Sequence, residues 1–396
     1  MVSQGSARIR AIGFAVAAST FMFWASPSAA QYVAQTNLVT DNQEALANLG
    51  FAPAAFVDPN LINPWGMSFV GTSPFWVSDQ GTNVSTLYRG DGSIVPLVVS
   101  TPVTLSGPQG PTGQVGYGGT GFLLGNGQPG RFFFANLNGT ISGWNSGFGT
   151  TAQTLATTAG AVYTGLASGT IGTANFLYAA NDAMGRIDVF DDSFALVNTP
   201  GGFVDPGPNP DNLVPFNITN IGDRLYVSYA PGGPDADEAA LGTGFVSEFA
   251  LDGTFLRRVT SGGPLASPWG MTLAPSSFGD FAGSLLVGNF NEDHGQINAF
   301  DLATGDFLGS LLNPDGSAVT IPYLWQILPG NDGNAGSSQS LFFAAGIGDE
   351  EHGLLGRFDA IAVPEPASWA MLIGGLGFAG AAMRRRTRRQ PRSVFA

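Results

Sequence analysis

The stretch from Ser267 to Leu311 constrains the fold more than any other part of the chain. It sets four short apolar runs, Pro268-Trp-Gly-Met-Thr-Leu273, Ser284-Leu-Leu-Val-Gly-Asn-Phe290, Gly295-Gln-Ile-Asn-Ala-Phe-Asp301 and Asp306-Phe-Leu-Gly-Ser-Leu311, between segments rich in Gly, Pro, Asn and Asp. Runs of strand length closed by such residues read as a meander of four antiparallel strands. One sheet of this kind cannot bury both of its faces, so copies must stack side by side. Copies are present. Unit one has runs at 64–69, 74–79, 84–88 and 96–99, unit two at 111–115, 131–135, 139–144 and 152–155. Unit three has runs at 163–167, 176–180 and 185–190 with a weak fourth near Phe203, and unit four at 215–218, 224–229, 244–249 and 255–259. Unit six has runs at 324–328, 340–345 and 353–358 and no fourth.

The missing run has a candidate at the other end of the chain, where Tyr32 to Val39 reads as a strand without partners of its own. Closing a ring with that strand leaves no long open edge, which an exported β protein must avoid. The expected fold is therefore all-β, a six-bladed β-propeller over residues 31–362 closed by the N-terminal strand. The segment from Asp41 to Pro59 reads as loop with at most one helical turn. Gln326 stands where other Trp-bearing inner strands have Gly, so the sixth unit is the hardest to align. Asp91-Gly92, Asp252-Gly253 and Asp301 to Gly305 read as hairpin turns between third and fourth strands.

Charge narrows the partners. Between Gln31 and Val363 there are seven arginines, no lysines and twenty-eight acidic residues, a balance that repels nucleic acid and anionic surfaces. The absence of cysteine excludes disulfides, thiol catalysis and cysteine-ligated zinc.

Both ends read as addresses. Arg8 and Arg10 precede an apolar run that ends in Ser28-Ala29-Ala30, so residues 1–30 form a signal peptide with cleavage between Ala30 and Gln31. Residues 363–389 hold Pro364-Glu365-Pro366, an apolar segment from Trp369 to Met383 and a basic stop beginning Arg384-Arg385-Arg386, followed by a tail at 390–396. The segment is short for a span of roughly 20 residues, and the arginines behind it hold that end in the cytoplasm. This tail closely resembles the PEP-CTERM sorting signal of Gram-negative bacteria. The resemblance implies an exosortase as partner, a transient inner-membrane anchor through the C-terminal helix, and delivery to the cell envelope, outer surface or exopolysaccharide matrix.

The body carries resemblances too. Leu177-Tyr-Ala-Ala-Asn-Asp-Ala-Met-Gly-Arg-Ile-Asp-Val-Phe-Asp191 is similar to the NHL-type propeller repeat. Gln35-Thr-Asn-Leu-Val39, Asp58-Pro-Asn-Leu-Ile-Asn-Pro-Trp-Gly66, Ser73-Pro-Phe-Trp-Val-Ser-Asp79 and Phe281-Ala-Gly-Ser-Leu-Leu-Val-Gly-Asn-Phe290 resemble a family of secreted bacterial propellers without an assigned activity. That resemblance implies architecture and no reaction.

Candidate chemistry collects on one face, because loops joining second to third strands emerge beside the starts of the inner strands. Asp79, Asp182, Asn289, Glu292, Asp293, Asp349, Glu350 and Glu351 place oxygens there, and Ca²⁺ or another divalent ion is the candidate cofactor for such a rim. The same residues also read as solvated turns. Trp65, Phe216, Trp269 and Trp325 fall at corresponding inner-strand starts, with Thr112 and Thr164 in the other two units. With His294 and His352 they form a candidate ligand face for an extracellular glycan or protein, while the aromatics read equally as packing wedges between blades. No catalytic residue is assigned. The leading expectation is a binding or scaffold protein, and its alternative is a metal-dependent lactonase-like hydrolase.

Overall fold

The computed structural model describes residues 31–361 apart from Ser106, Pro234 and Asp235. The predicted signal peptide, its cleavage site on the Ala30 side, and the sorting motif with Pro364, Glu365, Pro366, Trp369 and Arg384 to Arg386 lie outside the described residues. Among the described residues, no helix is long and apolar enough to cross a membrane.

The chain is all-β and propeller-like. Its first four sheets are four-stranded meanders in strict sequence order. Their inner strands are Pro64–Ser68, Pro111–Gly116, Tyr163–Ile171 and Val214–Ile221. Sheet five starts at Pro268–Leu273 and sheet six at Leu324–Pro329. Each inner strand touches the inner strand of the next sheet, and that of sheet six touches that of sheet one, so the sheets close a ring around an axis. Gln326 lies within the inner strand of sheet six, which settles that alignment.

Sheet six is completed by the N-terminal strand Gln31–Thr40, which pairs antiparallel with Leu354–Ala360 from Val33 opposite Ala360 to Thr40 opposite Leu354. The same strand also makes a two-residue parallel contact with the outer strand of sheet five, Gln31 with Leu311 and Tyr32 with Leu312, which was not foreseen. One strand therefore ties the last two sheets together, with Val33, Leu311 and Phe358 in one buried cluster.

Two other expectations need correction. The outer strand of sheet three is Leu196–Val197, not a run near Phe203. Phe203 has φ 56°, which a strand excludes, and it packs inside against Tyr178 and Phe249. The segment after Thr40 holds a six-residue helix, Gln43–Asn48, whose first turn is capped by the Asn42 side chain accepting from the amides of Glu44 and Ala45. It also holds a two-residue strand, Phe56–Val57, alongside Val39 and Thr40. Gly92, Gly253 and Gly305 sit at positive φ in the hairpins expected of them.

Candidate functional site

Every inner strand carries an irregularity at the same place. Pairing slips between Pro64 and Met67, Pro111 and Gln114, Tyr163 and Gly165, Pro215 and Asn217, Pro268 and Met271, and Leu324 and Ile327. A bulge re-aims the side chain it displaces. The residues inside the six bulges include Trp65, Thr112, Thr164, Phe216, Trp269 and Trp325, the column picked out in the sequence. Four of the bulges begin with proline, and Pro64, Pro111 and Pro268 stand at their strand's first position, where the missing N–H is not needed. The glycine that follows has a steric reason. A Cβ on Gly113 would lie 2.3 Å from the amide nitrogen of Leu166, and one on Gly66 2.6 Å from the carbonyl oxygen of Thr112. Adjacent inner strands thus meet backbone to backbone.

The aromatic members fill the axis. Trp65 stacks on Trp325 with centroids 3.4 Å apart, and Phe290 stacks on the other face of the group at 3.7 Å from Trp325. Trp269 meets Trp65 and Trp325 edge-on at 6.1 and 5.4 Å, and Phe216 lies 5.9 Å from Trp325. The indole N–H of Trp325 donates to Asn63 Oδ1 at 2.9 Å, and that of Trp269 to the carbonyl of Thr164 at 3.2 Å.

Above this plug, on the side where the inner strands start, is a cavity of about 640 Å³. Trp65, Phe216, Phe290 and Trp325 line its buried part, and the exposed residues Pro108, Ala183, Gly232 and Gly233 form its rim. Its polar side chains are Thr164, Asp182 and Glu350. Glu350 accepts from Asn63 Nδ2 at 2.9 Å; burial lifts its carboxyl above the ordinary range, the Asn63 bond opposes this and the Asp237 charge adds to it. Asp182 Oδ2 accepts from the Gly233 amide at 3.2 Å, and burial raises its carboxyl against that bond. Among the described residues, Trp65 Nε1, Thr164 Oγ1 and Asp182 Oδ1 are buried without a hydrogen-bond partner, although Trp65 and Thr164 are only 7% and 4% exposed. Buried polar groups ordinarily have a partner, so three on one cavity's lining is unusual.

Of the predicted rim, Asp182 and Glu350 reach the cavity, and the remaining predicted polar residues separate into three sets. Asp79 and Asn289 do not face the mouth: they are fully buried as the last residues of second strands, opposite Pro64 and Pro268. Asp79 accepts from Thr86 Oγ1 at 2.7 Å, and burial pushes its carboxyl well up. Asn289 Nδ2 donates to the carbonyls of Pro264 and His294. Their true counterpart in sheet three is Asn181, opposite Tyr163. Asp182 is one position further on, which is why it reaches the cavity.

The second set stays on surface loops. Glu292, Asp293 and Glu351 are exposed, and Asp349 accepts from the Tyr323 hydroxyl at 2.8 Å. The third set consists of the histidines, which lie in equivalent loops but act locally. His352 Nδ1 is 2.7 Å from Asp41 Oδ2, whose other oxygen accepts from the Gly353 amide, so it helps hold the closing strand. His294 donates its backbone amide to Asn291 Oδ1. No group of three or more His, Asp or Glu able to hold a metal ion occurs among the described residues. Phe290 and Leu137 were missed in the sequence. Both follow the last residue of a second strand, a column that the repeat alignment itself could have exposed.

Comparison with known proteins sharpens the picture. The model of the PEP-CTERM protein-sorting motif matches residues 362–386, which marks the chain as an exported, sorted protein. The streptogramin B lyase structure is similar over 83% of this chain and 98% of that chain, at 13% identity and a TM-score of 0.46. Uncharacterized proteins L690 and R648 of Acanthamoeba polyphaga mimivirus are each 34% identical over 319 residues, covering 76% of this chain and 81% and 76% of theirs. An alignment of that length cannot be confined to the two ends and must run through the sheets. The chain therefore belongs to the family of these two mimivirus proteins.

Proposed function

We propose that this chain is an exported six-bladed β-propeller that binds the end of a glycan in its axial cavity. In this reading an exosortase acts on the C-terminal tail and the protein serves the envelope or exopolysaccharide matrix of a Gram-negative cell. The observation that carries it is the cavity of about 640 Å³, floored by stacked aromatic rings and edged by buried polar atoms without partners. Its volume falls within the roughly 300–1,000 Å³ typical of small-molecule sites. Aromatic faces stack on sugar rings, and hydroxyls supply the partners that Trp65 Nε1 and Thr164 Oγ1 lack.

The fold also orients the site. Strand Leu354–Ala360 follows the loop that contributes Glu350 to the cavity and runs away from it, so the last described residue, Ile361, lies toward the opposite end of the ring. A tail held at the membrane then presents the cavity outward. The rival, metal-dependent hydrolysis of lactonase type, draws on Asp182 and Glu350 sharing the cavity. A glycan array on the full chain, run with Ca²⁺ and with chelator, separates them. Retention of a glycan in both conditions supports binding; retention only with metal, together with turnover, supports the hydrolase, and no retained glycan overturns the proposal.

A further inference from the structure

We infer that the axial cavity takes a ligand bearing a positively charged amine, and that among glycans it selects a free amino sugar over its N-acetylated or neutral counterparts. The inference deepens the glycan-binding reading and rests on it for the sugar part alone.

Two carboxylate side chains, Asp182 and Glu350, share a cavity whose remaining described lining is apolar or neutral, with no arginine among it. The chain has no lysine to reach in from elsewhere. The described partners of these carboxylates are neutral donors, the Gly233 amide for Asp182 and the Asn63 amide for Glu350. Asp237 adds a further negative charge near Glu350. An anionic ligand entering here meets only like charge.

The rings supply the second half. Trp65, Phe216 and Phe290 line the buried part of the same space, beside Trp325, whose two faces are taken by Trp65 and Phe290. A cation over an aromatic face is attracted by the ring quadrupole, most strongly when water is excluded, and several rings around one cation are the usual device for recognising ammonium groups. A cavity that combines such rings with carboxylates favours a cation twice over. The site is also independently marked as a ligand site by the partnerless Trp65 Nε1 and Thr164 Oγ1, which sugar hydroxyls suit and a bare metal ion does not. Burial raises both carboxyls above their ordinary range, and a bound ammonium would oppose that shift.

The test is calorimetric titration of the full chain in detergent at neutral pH with four probes: the glucosamine disaccharide, its N-acetylated form, the glucose disaccharide cellobiose and tetramethylammonium. The amine disaccharide is expected to bind about tenfold or more tighter than the other two sugars. Asp182→Asn and Glu350→Gln, which keep the described hydrogen bonds, should erase that preference while leaving the thermal midpoint near the wild-type value. Equal affinity for the three sugars, or a preference that survives both substitutions, overturns the amine inference and leaves the glycan reading standing. Binding of tetramethylammonium without any sugar supports the cation inference and sinks the glycan reading; silence from all four overturns both.

Discussion

Sheets two and three differ from the other four at one position of the repeat, and the difference accounts for the cavity. At the inner-strand bulge, sheets one, four, five and six place Trp65, Phe216, Trp269 and Trp325, which crowd together on the axis. Sheets two and three place Thr112 and Thr164. A threonine cannot span the distance that a tryptophan fills, so space remains on that side, bounded by Leu137, Val162 and Asp182. The aromatic side stabilises the ring, and the threonine side leaves room for a ligand. The two threonines also differ from each other. Thr112 Oγ1 donates to the Tyr163 carbonyl at 2.7 Å, whereas Thr164 Oγ1 has no partner among the described residues. One hydroxyl serves the fold, and the other faces the problem that a ligand would solve.

Substitutions at these places should separate the two roles. Trp325→Ala removes the ring that stacks on both Trp65 and Phe290, and is expected to lower stability by about 3–5 kcal/mol in denaturant titration. Gly113→Ala puts a methyl group against the backbone of the neighbouring inner strand and should cost on the order of 3 kcal/mol by the same measurement. A much smaller loss at either position would mean that the axis is looser than the contacts imply. The threonine pair is a finer probe. Thr112→Val should cost about 1–2 kcal/mol, because it leaves the Tyr163 carbonyl without its donor, while Thr164→Val should be neutral or stabilising by up to ~1 kcal/mol. Equal costs would erase the distinction drawn between the two sheets.

The smallest expected effect is a pH trend. Asp79, Asn136, Asn181 and Asn289 end equivalent second strands, and only Asp79 can ionise. Burial raises its carboxyl well above the ordinary 3.8, so the folded chain holds a proton that the unfolded chain releases. Stability from this group therefore falls as pH rises from that ordinary value toward the raised one. Asp79→Asn removes the trend, and its thermal midpoint relative to wild type should climb as pH rises above about 4. A difference that stays flat with pH would show that Asp79 is ionised in the fold.

Much of the architecture was legible in the amino-acid sequence because it rests on local chemistry. Strand-length apolar runs, Asp-Gly hairpins and the orphan run beginning at Tyr32 each follow from residue type and spacing. The outer strand of sheet three was not legible. Its two residues are too few to show a period, and the nearby Phe203 is apolar for a different reason, as a core residue in a left-handed turn. The site was legible only in part. The column from Trp65 to Trp325 could be aligned, but whether its rings face solvent or one another depends on six bulges that no single unit displays. Asp79 and Asp182 share one candidate rim in the sequence, and only the strand register shows that Asp182 lies one residue beyond the end of its strand, on a loop at the cavity. The column that holds Phe290 could have been aligned, but its stacking on a tryptophan of the next sheet could not.

The central claim is that the axial cavity on the threonine side is where a ligand sits. Ala183 is an exposed rim residue, so Ala183→Trp can obstruct the entrance without disturbing the packed core. Titrating wild type and this variant with the glucosamine disaccharide, with the thermal midpoint as a control, tests the claim most directly. The account predicts that affinity drops by about tenfold or more while the midpoint stays put. Saturable binding of undiminished affinity in a folded Ala183→Trp protein would contradict it.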